Sequence, residues 1–238
     1  MNNRRKIVMV LATMGTMLIA CAAHAALSLE GQNGIFLNSL AYPVNANKLE
    51  LSSHYVDLSD LGGVNTYNVT AGLPDDVELG YTKITSSVTG VKDQNLFLGK
   101  WQFKPETKST PALAAWVIDR HLNGGDGSTD YGLSATKCVK VANRPTVLDL
   151  GVRSTKALGL GLFGFGDDRK LKLEGSAAIF LTKNFAVGAE FKQQIGGDTW
   201  KDIAFRYVAS DSLNIDAGIA DLGPGLRRQI ALAATYRN

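Results

Sequence analysis

From residue 48 onward, apolar and polar residues alternate with a period of two. That is the mark of strands whose two faces meet different media. In 48–56, Leu49, Leu51 and Tyr55 share one face and Glu50, Ser52 and His54 the other. In 76–83, Val77, Leu79 and Tyr81 oppose Glu78, Gly80 and Thr82; in 95–103, Phe97, Trp101 and Phe103 oppose Lys100 and Gln102. The same rhythm runs through 171–181, 185–193, 201–209, 213–220 and 229–237. Weaker segments at 66–73, 112–119, 131–139 and 146–153 fill the gaps. Segment 112–119 is apolar on both faces and reads as a strand or a short helix. Clusters of Gly, Asp, Asn and Pro separate the segments, and all six prolines fall between segments or at their edges, where a missing ladder donor is tolerated.

Twelve strands are therefore predicted, and an even number of hairpin-linked strands can close into an up-and-down barrel without an open edge. A soluble β-sandwich also alternates, so the polar faces matter. They carry Glu50, Glu78, Lys100, Asp149, Arg153, Lys172, Glu174, Glu190, Lys192, Asp202, Arg206 and Asp216. In a membrane barrel these would line the lumen while the apolar faces meet lipid. Aromatics near apolar strand ends (Tyr55, Tyr81, Trp101, Phe103, Phe185, Tyr207, Tyr236) suit interfacial girdles. The expected fold is all-β: a single antiparallel up-and-down transmembrane β-barrel of about 12 strands. If all the polar-face charges point inward, they can pair across strands and fill a narrow or plugged lumen.

The start of the chain reads as an address. Arg4, Arg5 and Lys6 precede an apolar run over 7–20, and Ala23-His24-Ala25 offers a cut before Ala26, the pattern of a cleaved secretory signal peptide. The run is too short to cross a bilayer core comfortably. Leu18-Ile19-Ala20-Cys21 also resembles a lipobox, which would make Cys21 a lipid attachment site. The expected organisation is thus a signal peptide over 1–25 and a barrel domain over 26–238, with 26–47 as an N-terminal plug or extended lead-in. Composition agrees with export and excludes one class of partner. The formal charge is +3, and all of it resides in the leader: the remainder has 22 basic and 22 acidic residues. No basic stripe marks a nucleic-acid binder.

Candidate chemistry is sparse. Gly159-Leu160-Gly161-Leu162-Phe163-Gly164 matches the dinucleotide fingerprint in letters, but that motif needs a helix after it, and a turn follows here. The mature chain has two histidines, His54 and His121, both read as solvent-facing. His121-Leu122-Asn123-Gly124 lacks the serine that a phospholipase-like barrel would carry beside its base. Asp126, Ser128 and Asp130 alternate in a Gly-rich stretch without the bidentate Glu of a calcium loop, so an exposed loop is expected. No catalytic residue, metal or cofactor is assigned.

Three stretches carry a family likeness: Gly31-Gln32-Asn33-Gly34-Ile35-Phe36 with Ala41-Tyr42-Pro43; Gly72-Leu73-Pro74-Asp75-Asp76-Val77-Glu78-Leu79-Gly80-Tyr81; and Leu98-Gly99-Lys100-Trp101-Gln102-Phe103-Lys104-Pro105-Glu106. The chain resembles bacterial outer-membrane barrels of unknown function, related to barrels linked with exopolysaccharide production. The resemblance implies a Gram-negative outer-membrane location and no established site residues. The expected function is a non-enzymatic, porin-like envelope barrel or narrow channel assisting surface-polysaccharide export. Its expected partners are outer-membrane lipid and the barrel-assembly machinery. The aromatic that such machinery reads stands at Tyr236, two residues from the end. Two alternatives are an outer-membrane hydrolase using His121 or His54, and a periplasmic β-sandwich anchored through Cys21.

Overall fold

A computed structural model describes residues 26–58, 61–196, 199–222 and 228–238. The expected leader and Cys21 lie outside the described residues. Two short strands, β1 (Ala26–Leu27) and β2 (Asn33–Gly34), form a small hairpin. Twelve longer strands follow: β3 (Leu49–Asp57), β4 (Gly63–Leu73), β5 (Val77–Ser86), β6 (Gln94–Lys104), β7 (Ala112–Leu122), β8 (Gly127–Val141), β9 (Arg144–Ala157), β10 (Phe165–Phe180), β11 (Phe185–Gln193), β12 (Thr199–Ser210), β13 (Leu213–Asp221) and β14 (Arg228–Arg237). Each pairs antiparallel with its sequence neighbour. β14 closes on β3 through a register running from Ile230 opposite Asp57 to Arg237 opposite Glu50.

The closed barrel replaces the sandwich alternative. The ambiguous segment 112–119 is strand, not helix, and runs on to Leu122. Its inner face (Ala112, Ala114, Trp116, Ile118) is apolar because it meets packed side chains inside the barrel instead of water.

The two barrel ends differ. At the end where the chain enters β3 and where β14 finishes, the near end, every hairpin but the seven-residue 105–111 is tight. Ala142 and Asn143 make a two-residue link with φ of 49° and 62°, as the right-handed strand twist requires. Longer connections such as 87–93 and 158–164 lie at the far end, where the β9–β10 hairpin rises past β11, with which β10 pairs only from Glu174 onward.

Outward positions are apolar and solvent-accessible: Leu79, Leu133, Leu150, Ile203, Ile219 and Ile230 are each more than half exposed. In water this would be prohibitive. Against hydrocarbon it is what a barrel requires. Trp101, Phe103, Tyr207 and Tyr236 face outward toward the near end, and Tyr55, Tyr67, Phe97 and Tyr131 toward the far end. Two aromatic belts thus bracket the apolar band.

Candidate functional site: a filled lumen

Residues 26–44 run inside the barrel, all buried but the half-buried Pro43, and 45–47 emerge exposed at the near end. Apart from the β1–β2 hairpin this segment is irregular, so its amide N–H groups have no ladder to join. Buried amides must find partners, and wall side chains supply them. Glu190 on β11 accepts from the backbone N–H groups of Phe36, Leu37 and Asn38 at 2.7, 3.1 and 2.9 Å. Glu78 on β5 accepts from Asn33 and Val44 at 3.1 and 2.9 Å. Wall donors meet the segment's carbonyls in return. Thr70 donates to Gly31, Thr82 to Glu30, Lys100 to Asn33 and Arg206 to Ile35, at 2.7–3.0 Å.

The segment's one acid, Glu30, holds the centre of charge. It is 2% exposed. Its carboxylate accepts a hydrogen bond from Arg120, lies 2.5 Å from Lys192 Nζ and 3.8 Å from Arg153. Burial alone would raise its pKa, but Lys192, Arg120 and Arg153 together hold it well below the ordinary carboxylate range. Arg120 is also clamped by Asp130 at 3.0 Å and donates to the Leu160 carbonyl at 3.1 Å.

Of the twelve charges singled out in the sequence, Glu50, Glu78, Lys100, Asp149, Arg153, Glu174, Glu190, Lys192, Asp202 and Asp216 are buried. Arg206 is nearly so, its side chain 11% exposed. Lys172 shares their inward face but is half-buried, opposite Arg153 near the raised rim of β9 and β10. Cross-strand pairing accounts for part of the set. Glu78–Lys100 (3.2 Å), Glu174–Lys192 (3.4 Å), Arg206–Asp216 (2.6 Å) and Glu50–Arg237 (2.5 Å) are register partners. Asp149 accepts from Thr136. The rest departs from simple pairing: Glu190 faces Asp202, a like charge, across the β11–β12 ladder and turns to the segment's amides instead.

Several residues lay outside the sequence reading. Glu30 had no periodic signal. Arg120 could have been found by parity, since it continues the inward series Ala112, Ala114, Trp116, Ile118. Asp130 is not in an exposed loop but buried in β8 against Arg120. His54 does not face solvent: it is 1% exposed, 5.7 Å from the Phe36 ring, with its Nε2 3.1 Å from Ser52 Oγ. Its Nδ1 has no hydrogen-bond partner among the described residues, so no third group orients this Ser–His pair as a hydrolase would need. His121 sits on the outer surface against Asp119 at 2.7 Å. The glycine motif at 159–164 forms the β9–β10 connection, which β10 follows instead of a helix. Leu160 (φ 58°) and Leu162 turn into the lumen from it.

Residues 45–233 match the family described as protein of unknown function (DUF3034). Among curated proteins, none matches the sequence. Among solved structures, the chain is similar to the KdgM porin in complex with disordered oligogalacturonate. The TM-score is 0.54 at 12% identity, over 79% of this chain and 98% of that one. It is similar to the NanC porin with a TM-score of 0.55 at 9% identity, over 79% and 98%. For the outer membrane protein Omp33 of Acinetobacter baumannii the values are 0.51 and 13%, over 80% and 97%. These likenesses establish the fold as an outer-membrane-type β-barrel.

Proposed function

Since the chain belongs to the DUF3034 family of proteins of unknown function, we propose a role for it from its lumen: a non-enzymatic outer-membrane barrel, closed at rest by its own N-terminal segment. The outward apolar band between two aromatic belts supports the membrane location. One observation carries the closure. Two wall carboxylates, Glu78 and Glu190, accept five backbone N–H bonds from residues 33–44. A lumen built for bulk diffusion would leave such charges to water. Here they are spent holding a plug.

The lumen charge is close to balanced, not cationic. Nine buried carboxylates (Glu30, Glu50, Glu78, Asp130, Asp149, Glu174, Glu190, Asp202, Asp216) stand among the described residues against four buried cations (Lys100, Arg120, Arg153, Lys192) and three partly buried inward ones, Lys172, Arg206 and Arg237. It offers an acidic oligosaccharide such as the one in complex with KdgM no cationic excess to bind. Assistance to surface-polysaccharide export, which the sequence resemblance implies, would require the segment to withdraw first. The hydrolase alternative finds little support, because Ser52 and His54 are sealed beneath Phe36.

The test is conductance in planar bilayers. The wild-type chain is expected to pass little current, and a variant lacking residues 26–42 to pass stable, larger steps. Large steady conductance in wild type would refute closure.

A further inference from the structure

The near rim of the barrel is unevenly charged. The β6–β7, β8–β9 and β10–β11 hairpins are consecutive there and cover half of the circumference. They carry five exposed cations, Lys104, Lys108, Lys140, Arg144 and Lys183. The acids of this sector, Glu106, Asp149 and Glu190, have buried side chains. The other half of the rim is different: Lys48 stands there with Asp75, Asp76 and Asp211, all exposed. Among the described residues none of the five cations belongs to an ion pair.

The arc is held in shape. Lys137 donates to the carbonyls of Thr107, Lys108 and Thr110 and pairs with Glu106 at 2.9 Å, which pins the 105–111 connection against β8. Glu106 also accepts from the Cys138 N–H at 3.0 Å. Arg144 donates to the Leu181 carbonyl and so joins the β8–β9 hairpin to the β10–β11 hairpin.

Height matters as much as charge. Lys104 follows Phe103, Lys140 precedes Val141, Arg144 faces Val141 across the β8–β9 ladder, and Lys183 comes two residues after Leu181. Phe103, Val141 and Leu181 are exposed members of the apolar outer surface. The cations therefore begin where the hydrocarbon band ends, the depth of the lipid headgroups. An acidic protein would have to compete for that position with lipid already there.

We propose that this arc docks the phosphate groups of anionic phospholipid, such as phosphatidylglycerol, in the leaflet at the near end. A zwitterionic headgroup brings a cation with each phosphate and is held less well. A lysine beside an anionic leaflet contributes roughly fivefold in affinity. The inference rests on the outer-membrane location and not on the closed lumen.

Trp101 lies on the outer face of β6, three residues before Lys104, and is exposed, whereas Trp116 and Trp200 are buried toward the lumen. Its fluorescence reports the lipid at the arc. The chain is reconstituted in phosphatidylcholine bilayers containing increasing fractions of dibrominated phosphatidylglycerol, with dibrominated phosphatidylcholine as the reference quencher. At low salt the wild type should favour phosphatidylglycerol about fivefold or more. In about 1 M salt, where screening acts within about 3 Å, the preference should approach unity. Changing Lys104, Lys108, Lys140 and Lys183 to Gln should abolish it, with the milder pair Lys104→Gln and Lys108→Gln between. The same change at Lys83, Lys92, Lys170 and Lys201, exposed at the far end, should leave it intact. The heat-shifted electrophoretic band confirms that each variant is a closed barrel. Equal quenching by the two lipids in wild type would overturn the proposal. So would a preference lost equally in the far-end variant, because net charge and not the arc would then be the cause. Polyphosphate binding that is lost in the near-end variant, without any lipid preference, would assign the arc to a soluble polyanion and overturn the lipid reading.

Discussion

Replacing Glu30 by Gln should unlatch the barrel. The carboxylate faces Arg120, Lys192 and Arg153. After the substitution Arg120 keeps Asp130 and the Leu160 carbonyl, and Lys192 keeps the Leu37 carbonyl at 2.8 Å and Glu174 at 3.4 Å. Arg153 keeps nothing comparable: its one ion pair among the described residues is with Glu30, at 3.8 Å. Breaking a buried pair from one side costs about 3–5 kcal/mol, chiefly through the charge left behind. Because Gln retains a carbonyl oxygen for Arg120, the lower figure applies. About 3 kcal/mol is a shift of roughly 10²-fold between docked and withdrawn segment. In planar bilayers this should appear as a large rise in the fraction of time spent conducting. Arg153→Gln in the same chain removes the stranded charge, so the double variant should conduct less often than Glu30→Gln alone. An unchanged open fraction in Glu30→Gln would refute the latch. So would a double variant whose effect equals the sum of the two single ones, because the charges would then not be coupled.

Three further outcomes are expected. Glu30 has a depressed pKa, so its contribution to docking is complete above the ordinary value of 4.5 and fades only as pH falls through the much lower folded value. The ratio of open fractions between Glu30→Gln and wild type should therefore be the same at about pH 7 and pH 5, and a ratio that collapses within that window would contradict the assignment. Leu150→Arg places a charge at mid-height on the lipid face, at a site 59% exposed to the membrane. It should cost about 2–4 kcal/mol in urea unfolding from vesicles, and a loss below about 1 kcal/mol would argue against a lipid-facing position there. Gly132→Val should destabilise by about 1–3 kcal/mol, because its Cβ would lie 2.0 Å from the Trp116 ring, which lies over the glycine and donates to Ser134 at 3.0 Å. Gly99→Ala, with its nearest contacts at 3.5 Å, is the matched control and should stay within about 0.5 kcal/mol.

The strands were legible because lipid and lumen impose a two-residue period. Where that contrast ends, so does the signal. The sequence pattern starts one strand at 171, whereas β10 begins at Phe165. Residues Asp167, Asp168, Arg169 and Lys170 are exposed and polar on both faces, because the strand there has risen past its neighbours. Alternation also weakened at 112–119, because the lumen side of β7 is as apolar as its lipid side. The inward charges were readable by parity; their partners were not. Glu190 meets Phe36 across 154 positions of sequence, and Glu30 meets Lys192 across 162. No local pattern encodes a bond between an irregular segment and a strand so far downstream. That the lumen would be filled could be anticipated from its charge. Which residue would latch the filling could not.

The tether at Asn47 lets the filling and the wall check one another. Residues 26–47 are made before any wall strand, yet their partners on β11 and β12 come last but for two strands. The Asn47 N–H donates to the Gly72 carbonyl, so the segment can leave and re-enter the closed cylinder on that hinge while the β14–β3 seam stays paired. Glu78 and Glu190 take its amides from opposite walls, β5 and β11, so docking spans the whole bore. The segment is then a gauge of girth: a cylinder with a strand too many or too few would leave one of its two carboxylates out of reach.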